Sequence, residues 1–426
     1  MPKFLLLLLV VGSAFPAFAA KRVTVQQLQQ VLTATRGEPD AKIAGRLTGL
    51  ELTERLSLSA LSHFEAGLPG PKSRRSLLVL ADYSAFLDPS PAEIPATAAP
   101  DFATQRQIMA RTVDYAGKAI SRLPDFFATR ETIRFADTPA GYRGSYMITF
   151  QSLHFVDSAK DTVLYRDGRE VVDRNAAELK QWGQAAPGLA TQGVFGPILG
   201  TVLKDAAHGK VTWSRWEKGP AGQEAVFRFA VPAEESHYKV EYAGIFKTYP
   251  GYHGEIAVDP ENGTILRLVV EADLKRDSPI ARSAVQVDYG PVEIGGKTYV
   301  CPVKSVSILL APEPPSGRGQ NPMRANGWGA LQTSLNDTAF EQYHLFRAEA
   351  RILTGDDTGA AGDAPANAPA AAPAGPPVSA PSGAGPGALP ASDGKPAKKP
   401  DAESTVPAEH AGALPEPPAT SANTPR

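Results

Sequence analysis

The chain has 426 residues, 42% of them hydrophobic, which suffices for one large or two to three ordinary domains. Its 43 Lys and Arg against 45 Asp and Glu leave a net charge of −2, which argues against a nucleic-acid binder, since that function needs a basic face. One cysteine excludes an internal disulfide framework, a Cys-rich zinc site and a CxxC redox pair.

Lys3, the apolar run Leu5–Val11 and the small-residue site Ala17-Phe18-Ala19 together predict a secretory signal peptide over 1–19, cut after Ala19. The run is too short to span a bilayer comfortably, and no later stretch reaches 18 apolar residues, so no transmembrane segment is expected in the mature chain. The expected location is the bacterial periplasm or the exterior. Cys301 is then a free thiol, expected as a buried small hydrophobe in the strand-like run 299–303.

Residues 20–87 read as short helices. Thr24-x-x-Gln27 is a capping box ahead of Val25, Leu28 and Leu32. Asp40 is placed to cap a helix bearing Ile43 and Leu47, and Pro71 to open one through Leu77, Leu80 and Leu87. Residues 88–100 carry four prolines and no periodicity, hence a linker. Asp101 caps the next predicted helix, whose stripe is Phe102, Met109, Val113, Ala116 and Ile120.

From Asp125 the period shifts from 3.6 to 2, beginning with Phe126–Phe135. Asp167-Gly168, Asn262-Gly263 and Gly295-Gly296 each signal a two-residue hairpin, because such turns favour positive φ at both central positions. Further strand-like runs cover 223–231, 237–243, 283–289, 304–310 and 338–353. In the run 264–274, Leu266, Leu268, Val270, Ala272 and Leu274 share a dry face, while Arg267, Glu271 and Asp273 share a wetter one. About ten strands joined by tight turns exclude a parallel βαβ fold. One helix interrupts them: Phe195, Ile198, Leu199, Val202 and Leu203 form a stripe that must lie on the sheet.

The expected fold class is therefore α+β, with N-terminal short helices followed by a curved antiparallel sheet, a half-barrel meander carrying one packed helix. The sheet domain runs over 101–354. Residues 355–426 hold 15 of the 39 prolines and no aromatic residue, so a disordered Pro/Ala-rich tail is predicted, able to extend to about 220 Å.

Chemical motifs are sparse. The seven histidines form no HExxH pair, and GxSxG, GxGxxG and GxxxxGK[ST] are missing, so no metal, cofactor or catalytic residue is assigned. His154 and Asp157, three apart in a strand, are expected on opposite faces, as are Trp213 and Trp216. Turn chemistry accounts for Asp259–Gly263 better than a calcium loop does. The long loop 311–330, rich in Pro and Gly, carries Trp328 as a candidate lid.

This order of parts, a signal peptide, a curved antiparallel sheet and an apolar helix against it, resembles the outer-membrane lipoprotein carrier superfamily over about 125–354. Its members are unclosed β-barrels that hold acyl chains inside. Leu123-Pro124-Asp125-Phe126, Val287–Val292 and Gly295–Tyr299 are similar to a family of uncharacterised exported bacterial proteins, which carries no assigned activity and transfers no functional residue. The resemblance implies a binding or carrier protein for a lipid or acyl-bearing ligand, or for a lipoprotein. Phe195, Ile198, Leu199, Val202 and Trp213 are the candidate lining, with Trp328 above them. Two other classes stay open: an envelope sensor or scaffold acting through protein partners, and a hydrolase of unknown substrate.

Overall fold

The structure, a computed structural model, describes residues 20–143, 146–171, 197–242, 246–312 and 330–346. The segment 1–19, Phe195, Trp328 with most of its loop, and the tail 355–426 lie outside the described residues.

The N-terminal part folds as β1 (Lys21–Val23), α1 (Val25–Ala34), α2 (Asp40–Thr48), β2 (Leu50–Leu52), α3 (Leu58–Glu65) and α4 (Pro71–Ser84). Parallel pairing of β1 with β2 closes it, and Leu28, Ile43, Leu47, Leu61 and Leu77 fill its core. The Thr24 capping box forms in both directions, Gln27 N–H to Thr24 Oγ1 at 3.2 Å and Thr24 N–H to Gln27 Oε1 at 2.9 Å. Asp40 does not cap its own helix, whose N-cap is Pro39. Its carboxylate instead accepts from Ser73 N–H (2.9 Å), Ser73 Oγ (2.6 Å) and Lys72 N–H (3.0 Å). It thereby satisfies the open amides of α4, which has no side-chain cap of its own. Gly70 permits that approach, because a Cβ there would lie 2.6 Å from Asp40 Oδ2.

The linker 88–100 is docked rather than loose. It contains a 3-10 turn at Pro91–Glu93, and its Ala92 and Ala98 carbonyls accept from Lys218 Nζ and Trp216 Nε1. After it, α5 (Phe102–Arg122) starts at the Asp101 cap, with Thr104 N–H to Oδ1 at 2.7 Å. Its buried line is Ile108, Thr112 and Ala116, whereas Phe102 and Val113 of the expected stripe are 72% and 61% exposed. The seam passes through a threonine because its hydroxyl donates back to the Ile108 carbonyl at 3.1 Å, so it enters the core with its polar group satisfied.

The remaining elements are β3 (Phe126–Thr138), β4 (Gly141–Arg143), β5 (Tyr146–Ile148), β6 (Gln151–Arg166), β7 (Arg169–Val171), α6 (Pro197–Ala206), β8 (Lys210–Gly219), β9 (Gly222–Val231), β10 (Val240–Tyr242), β11 (Phe246–Thr248), β12 (Gly251–Val258), β13 (Ile265–Asp273), β14 (Arg282–Ile294), β15 (Lys297–Pro312) and β16 (Leu331–Leu345). Ten of these strands form one open antiparallel sheet in the order β7-β6-β3-β16-β15-β14-β13-β12-β9-β8. Fold class is thus mixed helix and antiparallel sheet, as expected at that level.

Asp167-Gly168 and Gly295-Gly296 are two-residue turns with positive φ at both positions. Asn262-Gly263 instead sits in a longer connection over 259–264, where Asp259 accepts from the Glu261 amide (2.8 Å) and from Asn262 Nδ2 (2.7 Å). β14 and β15 are single long strands through Pro291 and Pro302. These prolines are tolerated because the arm 289–303 extends past the ladders to β13 and β16, so their missing N–H groups cost no sheet bond. β16 begins at Leu331, seven residues before the run read from sequence, because it pairs at once with Pro312 of β15.

Bulges reset several faces. Ile265 pairs with Val258 while Arg267 pairs with Ala257, so Ile265 rather than Leu266 joins Leu268 and Val270 in the core. In β6 the register steps from Arg134↔Asp157 to Ala136↔His154, which puts His154 and Asp157 on one face, not two.

Candidate functional site

One face of the sheet is apolar. Phe126, Tyr165, Phe227, Tyr252, Ile256 and Leu268 form its centre, with α5 and α6 laid across it. Of the six candidate lining residues, Leu199 and Val202 are buried in this cluster, and Ile198 and Trp213 pack against it half-exposed. Trp216 is there too. A bulge at Ser214 pairs Trp213 with Phe227 and Trp216 with Ala225, two residues apart on β9, so both indoles share a face. Their rings meet edge to face at 4.8 Å, and Trp213 meets Phe227 at 5.3 Å. The expectation that they face opposite ways fails because three-residue spacing changes parity across a bulge.

At the end of α6, buried Asp205 accepts from His237 N–H (2.8 Å), His237 Nδ1 (2.7 Å) and Tyr252 Oη (3.0 Å). Burial and the neighbouring carboxylate hold the Tyr252 phenol far above its ordinary pKa. The His–Asp pair is one half of a hydrolytic relay, but among the described residues no hydroxyl or thiol is hydrogen-bonded to the imidazole. It fixes the segment leading to β10 onto the helix. Among the described residues no three His, Cys, Asp or Glu side chains converge to hold a metal.

The other face of the sheet is divided: Phe135, Val306, Ile308 and Leu335 pack with Leu78, Val79 and Ala85 of α4 and the loop after it, and beside this apolar patch lies a charged layer. Glu217 receives Arg55, Arg267 Nη2 (3.0 and 3.1 Å) and Arg215 Nη2 (3.1 Å); Arg55 and Glu217 are 4% and 3% exposed. Glu255 accepts both Arg215 terminal nitrogens at 2.7 Å and Arg228 Nε at 3.0 Å. Burial pushes the Glu255 carboxyl up, but the two guanidiniums outweigh it and hold it at about 2. Charges in such a layer must be matched, since an unpaired buried ion costs several kcal/mol.

Next to this layer, Lys304 Nζ lies 2.8 Å from Asp82 Oδ1 on α4 and 3.1 Å from Asp337 Oδ1 on β16. Asp82 is 2% exposed, and its Oδ2 has no hydrogen-bond partner. Burial, reinforced by the Asp337 and Asp288 charges, pushes its carboxyl up to about 8 against the pull of Lys304.

Where the loop after α4 leaves this layer, a groove of about 510 Å³ opens. Its floor is two cross-strand rows, Lys210–Ala230–His253–Glu271 and Thr212–Arg228–Glu255–Val269. Its roof is Ala85, Phe86, Leu87 and Asp88. None of these residues stands out in the sequence. Their signal is a polar or charged side chain at alternate positions, such as Lys210 and Thr212 on β8 or His253 and Glu255 on β12, which becomes readable once strand pairing is known.

Comparison of the chain with protein-family models, with curated proteins and with solved structures returns no match.

Proposed function

We propose that this chain is an exported binding or carrier protein for a lipid or acyl-bearing ligand, with the open sheet curving as a half-barrel around the ligand's chain. The observation that carries this reading lies on the apolar face. Beyond the cluster under α5 and α6, that face continues into Ser305 and Ser307, opposite Val287 and Val285, and both hydroxyls are buried without a hydrogen-bond partner. Buried polar groups are normally satisfied, so two unpaired hydroxyls beside an apolar surface suit a guest that brings polar atoms at one end of an apolar body. The short helix α6, anchored by Leu199 and Val202 and with Ile198 half-exposed, is the element that would lift to admit it. Organic extraction of the purified protein, followed by mass spectrometry, should recover a lipid at near-stoichiometric amount. An extract empty of lipid, combined with no uptake of an added fluorescent acyl probe, rejects the carrier reading.

A second reading, a scaffold acting through protein partners, is favoured by exposed apolar residues at one end of the sheet. Met147 on β5, Phe150 and Val156 are exposed at or beside β6, which among the described residues pairs on its outer side only with the three-residue β7. Long open strand edges are pairing sites. Pull-downs with the full chain and with 355–426 removed test it: an empty partner set from both forms rejects it.

A further inference from the structure

We infer that the groove beneath the loop after α4 is a second binding site, separate from the apolar interior, and that it takes a small carboxylate joined to an apolar body. The inference rests on charge bookkeeping within the lining. Arg55 is held by Glu217, Arg228 by Glu255 and Asp88, Glu271 by Arg282, and His253 by Asp273. Lys210 is the charged residue of the lining for which no described group is a partner. It stands on β8, the terminal strand of the sheet, with Thr212 beside it on the same face. Glu271 is three strands away, about 14 Å at ordinary strand spacing. The groove therefore offers one unmatched ammonium at its β8 end and neutralised pairs elsewhere.

That arrangement selects the ligand's charge. A single unpaired ammonium matches one negative charge. The other charges of the lining are already paired, so nothing in it compensates the second charge of a dianion such as a phosphate monoester. The roof and floor supply Phe86, Leu87, Ala230 and Val269 for an apolar body, and the volume lies within the range of small-molecule sites. A free organic acid and the C-terminus of a short apolar peptide both present this chemistry.

Calorimetric titration of the mature chain is the test, with octanoate, octanol, octyl phosphate and an acetylated tripeptide ending in leucine, each also run against Lys210→Gln. Octanoate, the peptide or both should bind with 1:1 stoichiometry, and whichever binds identifies the source. The bound carboxylate should be at least about tenfold tighter than octanol and octyl phosphate, the difference expected for one charge-assisted hydrogen bond. Lys210→Gln should remove that advantage while octanol binding and the thermal midpoint stay as in the parent, since Lys210 is exposed. Saturable octanoate binding that survives Lys210→Gln would put the acid in the apolar interior and overturn the groove site without touching the carrier reading. No binding of either carboxylate also overturns it.

Discussion

Replacing Asp82 by Asn should make the protein's stability less dependent on pH. Asp82 is buried between Lys304, Asp337 and Asp288, and its folded carboxyl sits at about 8 against an ordinary value near 3.8. Between those two values the folded chain keeps a proton that the unfolded chain has lost. The contribution of Asp82 to stability is therefore greatest below pH 4, falls as pH rises, and levels off above about 8. One retained proton gives a limiting slope of about 1.4 kcal/mol per pH unit, hence roughly 3 kcal/mol between pH 5 and 7. Asn has nearly the same shape and no proton to lose, and it leaves Lys304 paired with Asp337. Glu93, Glu224 and Asp288, each pushed up by burial, titrate in both proteins, so the difference between the two isolates Asp82. The assay is urea unfolding at constant ionic strength from pH 5 to 9, with the m-value checked for two-state behaviour. From pH 5 to pH 8 the variant's advantage over the parent should grow by roughly 3–4 kcal/mol. Parallel stability curves for the two proteins would refute the reasoning.

Cys301 is 1% exposed, and burial pushes its thiol up to about 12, so a disulfide reagent at pH 8 should leave it untouched in the native protein and titrate one equivalent in urea. Fast native labelling would mean that β15 opens. Gly263 has φ +78° and a Cβ there would lie 2.5 Å from the Arg111 backbone of α5, whereas Gly168 has φ +75° and open space. Gly263→Ala should cost about 2–4 kcal/mol by thermal unfolding and Gly168→Ala about 1 kcal/mol. Equal losses would show that the 259–264 connection does not press on α5.

What was legible in the sequence is what local chemistry specifies. Asp167-Gly168 and Gly295-Gly296 form their turns because positive φ is a property of the residues themselves, and the Thr24–Gln27 box needs no distant partner. The α6 stripe was legible from helical spacing alone, and Leu199 and Val202 are buried where it placed them. Bulges were not, because an extra residue is defined by the strand opposite: Ser214 turns two tryptophans to one side only in register with β9. Asp40 shows the same limit, since it stands at the start of one helix and caps another 32 residues on. The groove is the extreme case. Its residues come from Arg55 between β2 and α3, from the loop after α4 and from β8, β9, β12 and β13, and no segment contains enough of it to be recognised.

The place of β16 in the sheet has a consequence for how the chain can assemble. The last described strand lies between β3 and β15, and Thr132 contacts Thr338 across 206 positions at 3.2 Å. Strands β8 to β15 can zip up by successive hairpins and their one long connection, and β3 to β7 by short ones. The two halves have no ladder in common until β16 arrives. A chain delivered N-terminus first, whether from a ribosome or through a membrane pore, holds two unfinished edges until residue 345 is available. Formation of this seam should set the folding rate, since it closes the longest loop in the sheet. Truncation before 331 would leave two half-sheets with bare flanks, a form prone to clumping rather than a smaller working protein.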